Sequence, residues 1–347
     1  MDFSPEFQGA AEGSYKRTKN VSCILVVYLY KVPRRFLLSP SRISERAPEK
    51  GSIPWFLEYF LQEALRCNNS PMSAPKISVV MPFYNCEKYL DDSISSILSQ
   101  TFRDIEYIII DDASTDASEE IVRKYMEKDT RIQYIRNPEN KWKAYNCNLW
   151  IDRASGVYIA IMDGDDVSLP TRLEEEFLFL ESHSDIDVVG TQQILIDSDG
   201  KEFGELHKPV SSEEISKAKI LFQPMNHPTM LIRADVLRRF RYREKYGEFE
   251  DNDLYMRLFL AWIRWYNLPK SLCLYRIHEN NVNNKWSRMG ALKFYKCQME
   301  NIKMYHYTPS LKEYVFIYGY LITWSLLTPT QQRTLQRWIK TLLYKNL

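Results

Sequence analysis

Residues 157–166 read Val-Tyr-Ile-Ala-Ile-Met-Asp-Gly-Asp-Asp, so a run of apolar residues ends in an acidic turn. A short run of this kind, rich in β-branched residues and bounded by a turn, predicts a buried strand. Two earlier runs end similarly: Ile77–Pro82 leads into Phe83-Tyr84-Asn85, and Ile105–Ile110 leads into Asp111-Asp112. Three predicted strands therefore end in polar side chains.

Segments with apolar residues at helical spacing separate these strands. The predicted helices are Tyr89–Leu98, Ser118–Met126, Ala144–Ala154 and the segment from Pro170 to Leu180. One further strand, Ile132–Ile135, is predicted between the second and third of these helices. Beyond Asp185 we expect strands Val188–Ile196 and Met230–Ile232, a helix from about Glu250, and helices after Tyr275. Strands that alternate with helices predict an α/β fold, a mostly parallel sheet flanked by helices. Ligands bind such sheets outside the carboxyl ends of the strands, so the polar residues are expected in one crevice.

Composition and charge exclude several classes of protein. The 347 residues carry a net charge of +1, with 45% hydrophobic and 26% charged residues, which excludes a wholly disordered chain. A balanced charge provides no field for holding nucleic acid. The six cysteines are far apart and indicate free thiols in a reducing compartment, and no run of about 20 apolar residues predicts a membrane span. We therefore expect a cytoplasmic protein, with peripheral contact at the cytoplasmic membrane face as an alternative.

The acidic residues after the strands predict a metal site. A single pair of Asp residues would indicate only a helix cap or a turn. A ring of carboxylates at successive strand ends repels itself unless a positive charge lies among them. Mg²⁺ or Mn²⁺, shared with substrate phosphates, satisfies that need through oxygen ligands.

These motifs resemble those of the inverting family 2 glycosyltransferases, which have the GT-A fold. The resemblance covers roughly residues 76–283 and rests on segments 77–85, 93–102, 111–116 and 162–166, with Pro170 and Arg172-Leu173. It implies a Rossmann-like sheet and transfer of a sugar from a UDP-sugar to a glycan or lipid-linked acceptor, as in polysaccharide biosynthesis. It also implies Mn²⁺ or Mg²⁺ as cofactor and no nucleic acid partner.

The resemblance also implies roles for individual residues. At the donor site, Asp112 accepts a hydrogen bond from the uracil N–H, Tyr84 stacks on the base and Asp163 meets the ribose. Asp165 ligates the metal, and His278 is a further candidate ligand. The remaining residues of the expected nucleotide site are Pro82, Asn85, Asp111 and Lys141.

On the acceptor side, the segment Phe249–Leu254 resembles the family's Glu-Asp motif at the start of a helix. It implies that Asp251, with Glu250 beside it, is the base that takes the proton of the acceptor hydroxyl. A carboxylate there could also be a simple helix cap. His227 and Arg276 match, more loosely, segments that line the acceptor side and the diphosphate, and Arg276 is also expected near the metal or phosphate.

One segment departs from the family pattern. Family members carry Ala-Arg-Asn-x-Gly before the fourth strand, whereas this chain has Cys147 at the arginine position and Trp142 at a usual glycine position. Lys141 or Lys143 is expected to supply the missing positive charge, as a point charge and not as a bidentate fork.

The chain accordingly divides into an N-terminal extension without a clear pattern (1–75), a GT-A catalytic domain (76–283) and a helical C-terminal region (284–347). Near the C-terminus a basic amphipathic helix is expected, whose apolar face carries Leu335, Trp338, Ile339, Leu342 and Leu343. Both packing against the catalytic domain and contact with an anionic bilayer are compatible with this pattern.

Two alternatives remain open from the sequence. Asp163 and Asp165 after an apolar strand also fit the nucleophile motif of haloacid-dehalogenase-like phosphotransferases, in which Asp163 would be phosphorylated. The departure at Cys147 is compatible with a transferase homologue that binds nucleotide sugar without turning it over.

Overall fold

The computed structural model describes residues 74–218, 223–279 and 288–328, together with Gln331 and Thr334. The chain divides into two units, Met1–Ser70 and Pro71–Leu347, and the described residues belong to the second. The expectations for the N-terminal extension up to residue 73, and for the apolar face from Leu335 to Leu343, lie outside the described residues.

Four parallel strands form one half of the sheet. They are β1 (Ile77–Phe83), β2 (Ile105–Asp111), β3 (Ile132–Arg136) and β4 (Tyr158–Ile161), in the spatial order β3-β2-β1-β4. Every residue of β1 and β2 is buried, because helices cover both faces of the sheet. The helices of this half are α1 (Leu90–Leu98), α2 (Ser118–Met126) and α3 (Trp142–Arg153).

Alternate residues of β1 face different helices. Val80 belongs to the apolar cluster that contains Trp150 of α3, whereas Val79 and Met81 belong to the cluster that contains Ile94 of α1. This alternation follows from the two-residue period of a strand. The expected helix-covered parallel sheet is therefore confirmed for this half of the molecule.

The other half of the sheet is mixed. Its strands are β5 (Val167–Ser168), β6 (Val188–Ile196), β7 (Glu202–Leu206), β8 (Leu231–Arg233) and β9 (Trp265–Arg276). The order continues β4-β8-β6-β9-β5, with β7 beside β6. Among these described strands, β6 and β9 pair in parallel and the other pairs are antiparallel. Strand β9 is important for the site, because it returns the chain to the loop after β4.

The remaining described α-helices are α4 (Arg172–Ser182), α5 (Ser212–Ala218), α6 (Ala234–Phe240), α7 (Glu250–Leu260), α8 (Arg288–Met304) and α9 (Leu311–Leu326). The helical C-terminal region packs on α7, since Met256, Ile302 and Ile317 form one buried cluster. Within the described part of the chain, no helix is long and apolar enough to cross a membrane.

Candidate active site

The ends of the neighbouring strands β1, β2 and β4 meet in one crevice. The N–H of Asp112 donates to the carbonyl oxygen of Phe83 at 2.9 Å. The side-chain oxygen of Asn85 accepts from the N–H of Thr115 at 2.8 Å, which joins the two turns. A Cβ at position 164 would lie 2.9 Å from Cβ of Phe83, so this close approach requires Gly164. The polar residues predicted to converge are therefore together.

Asp111 and Asp112 are adjacent but have different surroundings. The carboxylate of Asp111 is fully buried, where it accepts hydrogen bonds from the N–H of Ser114 at 2.7 Å and the hydroxyl of Tyr134 at 2.8 Å. Burial and this hydrogen bond raise the pKa of Tyr134, so its hydroxyl stays protonated and keeps donating. Asp111 therefore shapes the turn from inside the protein.

Asp112 fixes the start of α3. Its Oδ1 accepts from the Nδ2 of Asn137 at 2.7 Å and from the N–H of Lys141 at 2.8 Å. Its Oδ2 accepts from the N–H of Trp142 at 3.0 Å. An ionised carboxylate has about four acceptor positions, so Oδ2 keeps one for a further donor.

The predicted stacking residue lies beside Asp112. The ring of Tyr84 is 47% exposed directly after β1, while Pro82 is buried within the strand. The backbone contact between Phe83 and Asp112 places this exposed ring at the same rim as the free acceptor position. A planar heterocycle with an N–H donor suits this pair of groups.

An ion pair joins α3 to the acidic turn after β4. Nζ of Lys143 lies 3.1 Å from Oδ1 of Asp163, and their side chains are 37% and 24% exposed. Burial would raise the pKa of Asp163, but the neighbouring ammonium holds it below its usual value. The ammonium of Lys141 instead pairs with Glu139, and the backbone N–H of Lys141 donates to Asp112. Of the two candidate lysines, the structure brings Lys143 to the carboxylates.

Asp165 and His278 form the second polar pair of the crevice. Nε2 of His278 lies 2.9 Å from Oδ2 of Asp165. The ring of Tyr89 lies 4.9 Å from the imidazole between centroids, and the guanidinium of Arg276 lies 4.7 Å from the same tyrosine ring. This packing orients the imidazole toward Asp165.

The sequence predicts Arg276 on the acceptor side or near the metal and phosphate, and the structure ties it to the turn after β4. Its Nε donates to the carbonyl of Asp165 and its N–H to Oδ1 of Asp166, both at 2.9 Å. The physical reason is the antiparallel pairing of β9 with β5, which brings residues 276–278 beside residues 165–166. Arg276 therefore supports the metal-site candidate.

These residues fit a divalent cation that is shared with a ligand. Among the described residues, no three His, Cys, Asp or Glu side chains are grouped to hold a metal ion. The carboxylate of Asp165 and the imidazole of His278 provide two neighbouring ligands, and phosphate oxygens are the partners that Mg²⁺ and Mn²⁺ use in such incomplete sites. Asp166, which the sequence analysis did not select, is buried with its Oδ2 unpaired among the described residues, and burial raises its pKa well above the usual value.

Glu250 and Asp251 begin helix α7. Oδ2 of Asp251 accepts from Nε2 of Gln223 at 2.7 Å, and its Oδ1 accepts from the N–H of Asn252 at 2.6 Å. Burial raises the pKa of Asp251, although Lys143 acts against this shift. Burial and the charge of Asp251 raise the pKa of Glu250 to about 8. Carboxylates with raised pKa values are suited to proton transfer.

His227 is a neutral group beside these charges. Its Nε2 lies 2.8 Å from the hydroxyl of Tyr242, and its side chain is buried. Burial, assisted by Lys143, lowers its pKa to about 3, so the ring carries no charge at neutral pH. Nδ1 has no hydrogen-bond partner in the described part of the structure. The neutral imidazole therefore orients the hydroxyl of Tyr242.

Sequence reasoning missed Gln223 and Tyr242, because nothing in the local pattern marks them. Cys147 points into the apolar cluster of α3 and is fully buried. The described cysteines, Cys86, Cys147, Cys273 and Cys297, are free thiols, as expected.

The chain resembles known glycosyltransferases. Residues 78–247 match the model of the family described as Glycosyl transferase family 2. The O-antigen biosynthesis glycosyltransferase WbnJ of Escherichia coli is 36% identical over 234 residues, which are 65% of this chain and 87% of the relative.

Two solved structures share the fold. Staphylococcus aureus TarS 1–349 in complex with UDP aligns with a TM-score of 0.54 at 22% identity, over 71% of this chain and 70% of TarS. The Pyrobaculum calidifontis mannosyltransferase PcManGT, in complex with GDP-Man and Mn²⁺, aligns with a TM-score of 0.52 at 16% identity, over 84% of this chain and 88% of that one.

Proposed function

This chain belongs to glycosyl transferase family 2 and is a glycosyltransferase with the GT-A fold, and from this we propose that it transfers a sugar from a UDP-sugar with inversion at the anomeric carbon. The observation that carries the proposal is the convergence of Asp112, at the end of β2, with Asp163 and Asp165, at the end of β4, and Asp251 lies in electrostatic range of Asp163. The family assignment removes the phosphotransferase alternative for Asp163.

The donor nucleotide is proposed to lie along the strand ends. Tyr84 stacks on the base, the free acceptor position of Asp112 takes a base N–H, and Asp163 takes ribose hydroxyls. Asn85 and the backbone of Lys141 hold the loops that carry these groups. Support comes from the exposure of Tyr84 and from its position beside Asp112.

Asp165 and His278 are proposed to hold Mn²⁺ or Mg²⁺ together with the donor diphosphate. A bound divalent ion supplies positive charge at the departing diphosphate. The role of Arg276 is to position the metal-site residues, since it holds the backbone of Asp165 and packs on Tyr89.

Asp251 is proposed to be the catalytic base. The acceptor hydroxyl loses its proton to the Asp251 carboxylate while its oxygen forms a bond to the anomeric carbon. The bond from that carbon to the diphosphate oxygen breaks, and its electron pair leaves with UDP. Gln223 and Asn252 fix the carboxylate, and its raised pKa favours acceptance of a proton.

The acceptor is proposed to be a glycan, in free or lipid-linked form. The relative WbnJ is an O-antigen biosynthesis glycosyltransferase. His227 is proposed to support the acceptor side from within the protein, where its Nε2 lies 2.8 Å from the hydroxyl of Tyr242.

Peripheral contact with the cytoplasmic membrane face is proposed for the C-terminal region. The exposed apolar side chains of α9 recur every three or four residues and therefore share one helix face. They are Leu311, Val315, Tyr318, Ile322 and Leu326, from 41% to 79% exposed. From Gln331 onward the sequence contains basic residues and no acidic ones, which suits an anionic surface.

The experiment that tests this function is calorimetric titration of the full chain with UDP, GDP and dTDP, with and without Mn²⁺, followed by a transfer assay. Metal-dependent binding selective for UDP, and inverted product from a UDP-sugar, are the expected results. A protein that binds UDP but releases no product would support the non-catalytic alternative.

A further inference from the structure

Lys143 pairs with Asp163 in the candidate active site, and its charge also reaches the start of α7. Its ammonium lies 3.1 Å from Oδ1 of Asp163, at the donor end. Its charge also acts on Glu250 and Asp251, at the acceptor end. The sugar and diphosphate of a donor must span these two ends, so their path passes the ammonium.

Lys143 and Cys147 lie four residues apart in α3, on the same side of the helix. The thiol of Cys147 is fully buried against apolar side chains, so position 147 presents no charge to the crevice. The side chain of Lys143, one turn earlier, does present a charge to the crevice, because 37% of it remains exposed. Of these two positions in α3, it is therefore position 143 that carries a positive charge beside Asp163.

Among the described residues, two other cations near these carboxylates, Arg172 and Arg276, are already engaged. The guanidinium of Arg172 is fully buried, where it donates to Glu176 at 3.2 Å and to the carbonyl of Ile161 at 3.0 Å. Arg276 donates to Asp92 at 3.0 Å and to the carbonyl of Asp165. An ammonium has three N–H donors, so Lys143 can keep Asp163 and still donate to a second anion.

A diphosphate that enters this crevice meets the ionised carboxylate of Asp163 and comes near Asp251, whereas Glu250, with its pKa raised to about 8, is mostly protonated at neutral pH. Like charges within a few ångströms repel each other strongly where water is partly excluded. A positive charge is needed at this point in addition to any cation at Asp165 and His278. Lys143 is positioned to provide it.

We propose that Lys143 binds the diphosphate of the nucleotide-sugar donor and takes the place of the arginine that the family pattern puts at position 147. This inference rests on the proposed function, because it assumes a nucleoside diphosphate donor. In the ligand-free protein the ammonium pairs with Asp163, and in the complex it bridges Asp163 and a phosphate oxygen.

The test compares a ligand with phosphates to one without. Calorimetry on the full chain measures UDP and uridine binding to wild type, Lys143→Gln and Lys143→Arg, with the exposed Lys128→Gln as control. Loss of a charged hydrogen bond should weaken UDP binding about tenfold or more in Lys143→Gln. Uridine binding should change less than about twofold, because the nucleoside has no phosphate for the ammonium to bind. Lys143→Arg should recover UDP binding, and Lys128→Gln should match wild type.

Three results would contradict the inference. Equal losses for UDP and uridine in Lys143→Gln would show that Lys143 only positions Asp163. A loss of UDP binding in Lys141→Gln, with Lys143→Gln unaffected, would assign the charge to Lys141. Wild-type protein that binds neither UDP nor GDP would overturn the proposed function itself, so the two failures are distinguishable. Should GDP bind instead of UDP, GDP and guanosine serve as the same pair of probes.

Discussion

Asp251 and Asp253 lie two positions apart in the first turn of α7, but their carboxylates have different environments. Asp251 accepts a hydrogen bond from Gln223 at 2.7 Å and remains partly exposed. Asp253 is fully buried and pairs with Arg243 and with Arg257, the latter at 2.8 Å. The helix period turns the two side chains about 200° apart, so one faces the crevice and the other faces the scaffold.

Asp251→Asn should abolish transfer without changing the fold. The amide has almost the same shape but cannot accept the acceptor proton, so kcat should fall about 10²–10⁴-fold. Rates of sugar transfer and the thermal midpoint Tm measure the two effects separately. Transfer at the wild-type rate would remove Asp251 from the mechanism.

Asp253→Ala should destabilise the fold, and it is the matched comparison for Asp251→Asn. Removal of one partner from a buried ion pair typically costs about 3–5 kcal/mol of the free energy of unfolding. Urea denaturation should show this loss as a lower midpoint. An unchanged midpoint would contradict the structural role assigned to Asp253.

The stability of the fold should also decrease at acidic pH, because Asp253 becomes protonated there. Burial would raise the pKa of Asp253, but hydrogen bonds and charges from Arg243 and Arg257 lower it below its usual value. A group with a lower pKa in the folded state stabilises the fold above its unfolded pKa, and this contribution is lost as the pH falls through the folded value. The Tm of wild type should therefore drop in this acidic range, and Asp253→Ala should show a smaller drop. Parallel Tm curves for the two proteins would contradict the assignment.

Asp165→Ala should remove the metal dependence of nucleotide binding. Wild-type binding of UDP should weaken when EDTA removes the divalent ion, because the diphosphate then loses its counter-charge. The variant should bind UDP equally with and without Mn²⁺. Full Mn²⁺-dependent binding by the variant would place the ion elsewhere.

Gln223→Ala should shift the pH dependence of transfer. The hydrogen bond from Gln223 stabilises the ionised Asp251, whose pKa burial raises. Loss of this donor should raise the pKa further, and a base is active only when deprotonated. The acid limb of kcat against pH should therefore move to higher pH than in wild type. A shift to lower pH would be inconsistent with Asp251 as the base.

The double variant Val315→Ser/Ile322→Ser should bind anionic vesicles more weakly than wild type. Burial of an aliphatic side chain is worth roughly 1.5–3 kcal/mol, so the partition coefficient should fall about tenfold or more. Sedimentation with phosphatidylcholine/phosphatidylglycerol vesicles measures this change. The control is Leu178→Ser/Phe203→Ser, which changes two exposed apolar side chains outside α9. Equal losses in both variants would argue against a specific surface on α9.

The sequence determined the parallel half of the fold, because its strands are buried on both faces and read as continuous apolar runs. Helix Ser118–Met126 and strand Val188–Ile196 have the predicted bounds, and Asp112, Asp163 and Asp165 converge as the strand order requires. Strands β7 and β9 were not predicted. Four of the five side chains of β7 are exposed, and Pro269 and Lys270 interrupt the apolar pattern of β9.

The tertiary structure alone decided how neighbouring residues divide their roles. Sequence spacing places Asp111 beside Asp112, and Lys141 beside Lys143, but it does not say which side chain faces the crevice. That choice depends on contacts between distant segments, such as Tyr134 with Asp111 and Glu139 with Lys141. Arg276 is tied to the metal-site turn for the same reason, because the pairing of β9 with β5 joins segments more than a hundred residues apart. Local patterns determine strands and helices, whereas the direction of a polar side chain depends on partners that only the folded chain brings near.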